Sequence, residues 1–439
     1  MGEKDQQKFA EGLLQYLNDS PTAYHAVENG AAILRAHGFI QLKETDRWSL
    51  KKGGRYFMTR NSSGLIAFTV GEESLEENGF RIIGCHTDSP GLKIKPGPCT
   101  VSPDGYVKVN VEVYGGAVLS TWFDRPLAMA GRVIVKKDGG AAGLAEERLI
   151  KIEEPVFVLP SLCIHLHKKT DDNNNLNRQT ELLPILAMKE EGVEKGDYLL
   201  RLLRDKAGID PAAVLDYELF LYEYEKGIFT GGNREFISAS RLDDLSMVHA
   251  GLSALAESCK KGAACRVLAA FDNEEVGSTT AQGAHSGLLL HTLNRICKNL
   301  GLDDDGYFRA IAHSTSISAD LAHAVHPNYS DRHDPENHPV LGGGPVIKYS
   351  ASQRYATTAF TAAYFMEACE RAGVAFQQFV NRNDIPGGST IGPVMSGLTT
   401  IPAVDMGAPI LAMHSIREFG AVTDQYDTWK AFLAYYEGC

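Results

Sequence analysis

Three acidic side chains, Asp272, Glu274 and Glu275, crowd the segment FDNEEVGS, directly after the apolar run CRVLAA. The run reads as a buried strand, so the carboxylates stand at its mouth. Carboxylates held that close repel one another, so a cation must sit among them or one must stay protonated. Other metal-ligand types follow other strand-like runs. HTDSPG after FRIIGC supplies His86 and Asp88, ADLAHAVHPNY after AIAHSTSIS supplies Asp320 and His323, and HSIRE after VDMGAPILAM supplies His414. Asp243, in ASRLDDL, stands at the start of a long helix, where the dipole favours an anion. Singly, each has an ordinary explanation: an Asp at a helix start is usually a cap, a His after a strand usually packs or hydrogen-bonds, and paired glutamates usually face water. Together, imidazoles and carboxylates at strand ends suit Zn²⁺, with Mn²⁺ and Co²⁺ as alternatives.

The adjacent glutamates then acquire a division of labour. Neighbouring side chains diverge from an extended or turning backbone. One can bind a metal while the next addresses the water on that metal as general base. Asp88, two residues past His86, can accept the second N–H of that imidazole and fix its tautomer. One bridging carboxylate with two further ligands on each metal uses Asp243, His86, Asp320, Glu275 and His414, a two-metal hydrolase site.

These residues need elements that bring strand ends together. QKFAEGLLQYLNDS has helical spacing of Phe9, Leu13, Leu14 and Leu17, and a second helix restarts with Ser20 as N-cap and Pro21 in its first turn, ending near Gly38. RYFMTR, LIAFTVG and FRIIGC read as strands. From about residue 93 the texture changes: YVKVNVEVYGG alternates, GRVIVKK is β-branched, and SLCIHLHKK alternates again. This is the pattern of antiparallel strands with one wet face. The loop TDDNNNLNR is exposed by composition. Near residue 240 the α/β texture returns, with LDDLSMVHAGLSALAESCKKG as a long amphipathic helix, CRVLAAF and AIAHSTSIS as strands, and helices over SGLLLHTLNRICKNL, QRYATTAFTAAYFMEACERAG and DQYDTWKAFLAYYEG. The fold class is therefore α/β. A discontinuous catalytic domain over 1–92 and 240–439 is interrupted by a β-rich insert over 93–239, and the two α/β parts share one sheet. In such sheets the site lies beyond the carboxyl ends of the strands.

The bulk numbers set the setting. The chain has 439 residues, 44% hydrophobic, enough for a large core, and its net charge of −12 argues against nucleic acid or anionic membrane as partners. It has no run of about 18 apolar residues to span a membrane and no signal-peptide core after MGEKDQQKFAEG. Eight cysteines are scattered with no C-x-x-C pair, the pattern of reduced thiols in a cytoplasmic protein.

HTDSPG, RLDDL, FDNEEVGS, SADLAHAVHPNY, GPVIKYSASQRYATT, NRNDIPGGSTIGP and MHSIRE, in this order and at these spacings, resemble the aspartyl aminopeptidase family. These are cytosolic dinuclear zinc exopeptidases related to vacuolar aminopeptidase I. The resemblance spans nearly the whole chain. It implies a zinc-exopeptidase-type three-layer catalytic domain with an inserted dimerisation domain, assembled from dimers into a tetrahedral dodecamer with an inner chamber. It implies His86, Asp243 and Asp320 on one metal, Asp243, Glu275 and His414 on the other, Glu274 as the base and Asp88 as the orienter of His86. It adds His323, Lys348 and Tyr355 as substrate contacts, and His165 as a residue reaching a neighbouring subunit's site. By pattern alone, His165 is a half-exposed strand residue beside His167, and Lys348 is a surface lysine ending GGGPVIK. Gly387 stands where the family often carries Cys.

The activity implied is removal of N-terminal residues, Asp or Glu first, from short peptides with a free N-terminus. Other readings are an aminopeptidase for neutral N-termini, a dinuclear amidohydrolase or carboxypeptidase needing a free carboxylate on its substrate, and a glycosidase using Glu274 and Asp320 as paired carboxylates. A different class is a non-catalytic assembly protein that keeps the shell without the chemistry.

Overall fold

The computed structural model describes residues 2–137, 145–166, 176–258 and 262–438. They form two compact units, one of residues 1–88, 227–413 and 418–439 and the other of residues 89–226 and 414–417.

The first unit is built on a nine-stranded sheet. Its order is Ile40–Gln41, Arg55–Arg60, Gly64–Thr69, Cys265–Phe271, Phe80–His86, Thr315–Ala319, Ala403–Gly407, Val346–Tyr349, Gln377–Val380. The four central strands, Cys265–Phe271 through Ala403–Gly407, run parallel to their neighbours in that stretch. They are buried almost throughout, as strands covered on both faces must be. The helices Glu3–Asp19, Ala23–Ala36, Leu242–Glu257, Ala359–Ala372 and Val422–Glu437 share one core with one face of the sheet. Leu288–Asn299, Asp304–Ala312 and Ile391–Thr399 share the other. The result is three layers, with the carboxyl ends of the parallel strands on one edge. Among the described residues, no helix is long and apolar enough to cross a membrane.

Several local expectations change. The second helix has Thr22 at its N-cap position and starts at Ala23, while the Ser20 N–H donates to Leu17 O and closes the first helix. AIAHSTSIS is not one strand: Ala310–Ala312 end the helix Asp304–Ala312, and the strand begins at Thr315. Leu242–Glu257 is not amphipathic; every residue except Ser253 and Glu257 is buried, because the helices Glu3–Asp19, Ala23–Ala36 and Val422–Glu437 pack against it as well as the sheet. QRYATT is not helical, and the helix starts at Ala359 behind a Thr358 cap.

The second unit is a closed barrel. Gly91–Val101 pairs with Tyr106–Tyr114, then in turn Ile185–Met188, Phe157–Val158, Pro126–Lys136 and Val214–Glu223, which pairs back onto Gly91–Val101. Ala145–Lys151 extends the ladder on Pro126–Lys136. Alternate residues such as Val107, Val109 and Val111 fill the interior, as a period of two requires. The unit starts at residue 89 and stops at 226, short of the expected 93–239, because Ile228–Thr230 and Phe236–Ala239 join a separate five-stranded sheet of the first unit through Glu418–Ala421. Of the expected strand SLCIHLHKK, the described residues 161–166 hold a short 3-10 turn at Ile164–Leu166 and no strand. Its consecutive exposed positions leave no face to bury and so no reason to pair. His167, and residues 170–175 of the TDDNNNLNR loop, lie outside the described residues.

Candidate metal centre

His86 is the last residue of the central strand Phe80–His86 and pairs in register with Phe271, so the FDNEEVGS turn leaves the sheet beside it. On the other side Asp320 directly follows Thr315–Ala319. Asp243 and Asp244 open the helix Leu242–Glu257 with non-helical backbone angles, joined by a cis peptide bond, before the regular helix begins. Four elements thus deliver side chains to one point on the carboxyl edge.

The atoms converge. His86 Nε2 lies 3.4 Å from Asp243 Oδ1, and the ligand atoms of His86, Asp243, Asp244 and Asp320 all lie within 4.8 Å of one another. His86, Glu274 and Glu275 form a second group by the same measure. His86, Asp243, Asp244 and Asp320 are buried, whereas Glu274 and Glu275 are partly open to solvent.

The backbone around these side chains is held by other carboxylates. The His86 N–H donates to Asp244 Oδ2 at 3.1 Å, and the Asp243 N–H to Glu418 Oε2 at 2.9 Å. Asp88 has a broader role than its expected one. The His86 Nδ1 contact at 3.0 Å is to the Asp88 backbone carbonyl, with the carboxylate farther away at 3.4 Å. The carboxylate accepts the Glu274 and Glu275 N–H groups, one on each oxygen, both at 3.1 Å. Asn273, at φ 65, turns the chain, and its Oδ1 accepts from Thr280 Oγ1 and Gln282 Nε2. The glutamate pair therefore rides on a short 3-10 turn fastened from both sides.

Electrostatics describe a site that demands cations. Burial raises the Glu274 pKa to about 8, with repulsion from Asp320, Glu275 and Asp243 adding to it. Burial likewise raises Asp244 and Asp320. Burial disfavours the charged form of His86, yet the surrounding Asp244, Asp243 and Asp88 hold its pKa well above the usual imidazole value. Asp244 Oδ1 is buried without a hydrogen-bond partner among the described residues. An imidazole and clustered carboxylates, with surplus negative charge in a buried pocket, are the donor set of a dinuclear site for divalent ions of the Zn²⁺ class. The residues fit that cofactor.

Beside the cluster, Lys348 departs from its reading as a surface lysine. It is 2% exposed on Val346–Tyr349, and its Nζ donates to Asp320 O at 2.8 Å and Leu321 O at 3.1 Å, with Asp320 Oδ1 at 3.7 Å. Burial pulls its pKa down, but Asp320 and other anions outweigh that and raise it. Tyr355 is buried, with Lys348 Nζ 5.2 Å from its ring centre, and His323, exposed, packs its ring 6.2 Å from Phe379. Ala322, Val346, Tyr355 and Phe379 form one small cluster, so the three substrate-contact candidates gather around it.

Two candidates belong to the second unit. His414 opens the stretch 414–417, its carbonyl accepting the Val118 N–H at 2.9 Å and its Nδ1 3.3 Å from Gly116 O. His165 is exposed in the turn Ile164–Leu166, between side chains 77% and 67% exposed at Ile164 and Leu166. Asp244 and Glu418 were not singled out from sequence; the doubled Asp in RLDDL and the Glu ending MHSIRE were their only signals.

A family model described as Aminopeptidase I zinc metalloprotease (M18) matches residues 16–436. The protein named Probable M18 family aminopeptidase 2 of Clostridium novyi (strain NT) is 47% identical over 433 residues, 99% of each chain. Probable aspartyl aminopeptidase of Ricinus communis is 39% identical over 463 aligned positions, covering 97% of this chain and 94% of that one. Among solved structures, the S. cerevisiae mApe1 dodecamer matches with TM-score 0.86 at 26% identity, over 99% of this chain and 97% of that chain.

Proposed function

The chain belongs to the M18 family of zinc aminopeptidases, and from that premise we propose that it removes Asp and Glu from the N-termini of short peptides. The observation that carries the acidic preference is Lys348, a buried cation against Asp320 at the edge of the cluster. The name of the Ricinus communis relative, an aspartyl aminopeptidase, supports the same choice.

We assign one metal to His86, Asp243 and Asp320 and the other to Asp243, Glu275 and His414, with Asp243 shared. That assignment gives each ion an imidazole and two carboxylates. When bound, the ions supply a Lewis acid for the scissile carbonyl and lower the pKa of the attacking water. Glu274 takes the proton from that water and returns it to the leaving amine. A carboxyl already biased toward the neutral pH range by burial is suited to both transfers. Asp88 fixes the Glu274 and Glu275 amides and, through its carbonyl, the His86 ring. His323, Lys348 and Tyr355 contact the substrate's first residue, and His165 is supplied by a neighbouring subunit.

The barrel serves dimerisation, and dimers assemble to a dodecamer, the state of the S. cerevisiae relative. The protein works in the cytoplasm. One observation favours a second reading, a preference for neutral N-termini: two of the three Lys348 donors are already directed at backbone carbonyls.

The deciding experiment measures amino-acid release from Asp-, Glu- and Leu-initiated peptides with and without chelator. Chelator-sensitive release from the acidic peptides alone supports the proposal. Chelator-sensitive release favouring Leu keeps the mechanism and discards the specificity. No release by zinc-replete protein returns the amidohydrolase and assembly readings.

A further inference from the structure

The amino edge of the same sheet carries a different constellation. Arg266, second residue of Cys265–Phe271, pairs in register with Thr69 on one side and Arg81 on the other. Leu268 and Ala270 face the helical layer containing Leu242–Glu257 and Val422–Glu437, so by alternation Arg266 does as well. Arg266 lies five residues before Phe271, roughly 17 Å along an extended strand from the mouth where the metal ligands begin.

Its neighbours show how an arginine is normally satisfied here. Arg55 donates to Ala256 O and Ser258 O, each at 3.0 Å, at the carbonyl end of Leu242–Glu257. Arg81 donates to Asn78 O, Phe80 O and His313 O. Arg266 does neither. It is 1% exposed, and Nε, Nη1 and Nη2 all lack a hydrogen-bond partner among the described residues. Thr69 Oγ1, fully buried on the paired strand, lacks one too. The nearby acidic groups do not compensate: burial raises the Cys265 thiol and the Tyr436 phenol, keeping both neutral, and the Tyr436 hydroxyl is committed to Val267 O at 2.8 Å. Gly262 puts no side chain against the guanidinium edge, where a Cβ would lie 3.0 Å from Nη2.

A guanidinium keeps its proton under all ordinary conditions. Buried without a counter-ion or acceptor, it is strongly disfavoured. We propose that Arg266 and Thr69 form a closed binding site for one small inorganic anion of the halide class. A single negative charge neutralises the single guanidinium; a dianion such as phosphate would bury a net charge of its own and demand more donors than one fork and one hydroxyl provide. The site is independent of the catalytic reading, and its occupancy is read as stability rather than turnover.

The test uses the full, zinc-loaded protein and bromide as probe. Bromide titrated against gluconate at constant ionic strength should raise Tm saturably, by roughly 1–3 °C. Crystals soaked in bromide should show an anomalous peak within hydrogen-bonding reach of the Arg266 guanidinium. Arg266→Met should abolish the bromide-dependent rise. Thr69→Val, which keeps the charge and nearly the volume, should move its half-point to higher bromide, so the proposal stays testable if the arginine variant does not fold. A rise of equal size and half-point in the wild type and Thr69→Val would overturn it. So would a pocket holding only water or a main-chain carbonyl, or an anomalous peak without any effect on Tm.

Discussion

Asp88→Asn separates two jobs that one residue could perform. If the carboxylate worked chiefly by orienting His86, its loss would loosen the imidazole and weaken metal binding, and excess zinc would restore turnover. The structure points elsewhere. The His86 Nδ1 contact at 3.0 Å is to the Asp88 backbone carbonyl, which asparagine retains, while Oδ1 and Oδ2 each accept one N–H from the Glu274–Glu275 turn. In asparagine one of those oxygens becomes an NH₂ group, placed donor against donor. Losing one hydrogen bond to a charged acceptor costs about 1.5–3 kcal/mol. If that is expressed in the positioning of Glu274 in the transition state, kcat falls about 10–150-fold. The expected outcome is that loss in kcat at saturating zinc, with zinc content after dialysis and Tm near wild type. The assay is steady-state hydrolysis of an Asp-initiated peptide, paired with metal analysis of the same samples. A kcat within twofold of wild type, or one fully restored by added zinc, would refute the reasoning.

Glu274→Gln keeps the shape of the side chain and removes its basicity, so zinc should remain bound while kcat drops about 10²–10⁴-fold; metal analysis with a turnover assay checks both halves. In zinc-free protein, burial holds Glu274 up at about 8, so the fold favours its neutral form. A carboxyl raised in the folded state binds more protons there than when unfolded. Stability should therefore decline as pH rises from about 4.5 to about 8. Thermal melts in chelator should show that decline, and zinc should reverse it; a flat profile would count against the cluster's electrostatics. Lys348→Ala should reduce the ratio of Asp to Leu release, measured as kcat/KM on matched peptides; an unchanged ratio removes Lys348 from specificity.

The α/β class, the shared sheet and the interruption were legible because their signals are local and redundant. Cys265–Phe271 and Phe80–His86 are short, mainly apolar runs that lead directly into polar segments. The boundaries were less legible where neighbours decide. Ile228–Thr230 and Phe236–Ala239 fall inside the expected insert, but they pair with each other, and Phe236–Ala239 pairs in turn with Glu418–Ala421, almost two hundred residues away. Alternation shows that a strand has two faces, not which sheet it joins. In the same way, Leu242–Glu257 carries Asp243, Asp244, Ser246 and His249, which suggest a polar face, and yet they are buried. Two are drawn inward by the metal cluster, and the helix packs on all sides because others cover it.

The centre itself was readable at the level of ligand type and not at the level of support. His86, Asp243, Glu274, Glu275 and Asp320 stand out as histidine and carboxylates beside strand-like runs or a helix start, and the fold brings them into overlapping groups. Asp244 and Glu418 act on backbone N–H groups, and any residue has a backbone N–H; nothing in a linear pattern marks which one lacks an acceptor until the chain is folded. Lys348 shows the same limit in reverse. A lysine ending a strand is ordinarily solvated, and only the folded arrangement turns its ammonium inward to Asp320 and Leu321. By those contacts it ties the segment carrying Asp320 to the strand Val346–Tyr349. Removing it should therefore disturb both specificity and the placement of Asp320. The two effects come apart in kinetics: lost charge recognition lowers kcat/KM for Asp peptides alone, whereas a displaced Asp320 lowers it for Leu peptides equally.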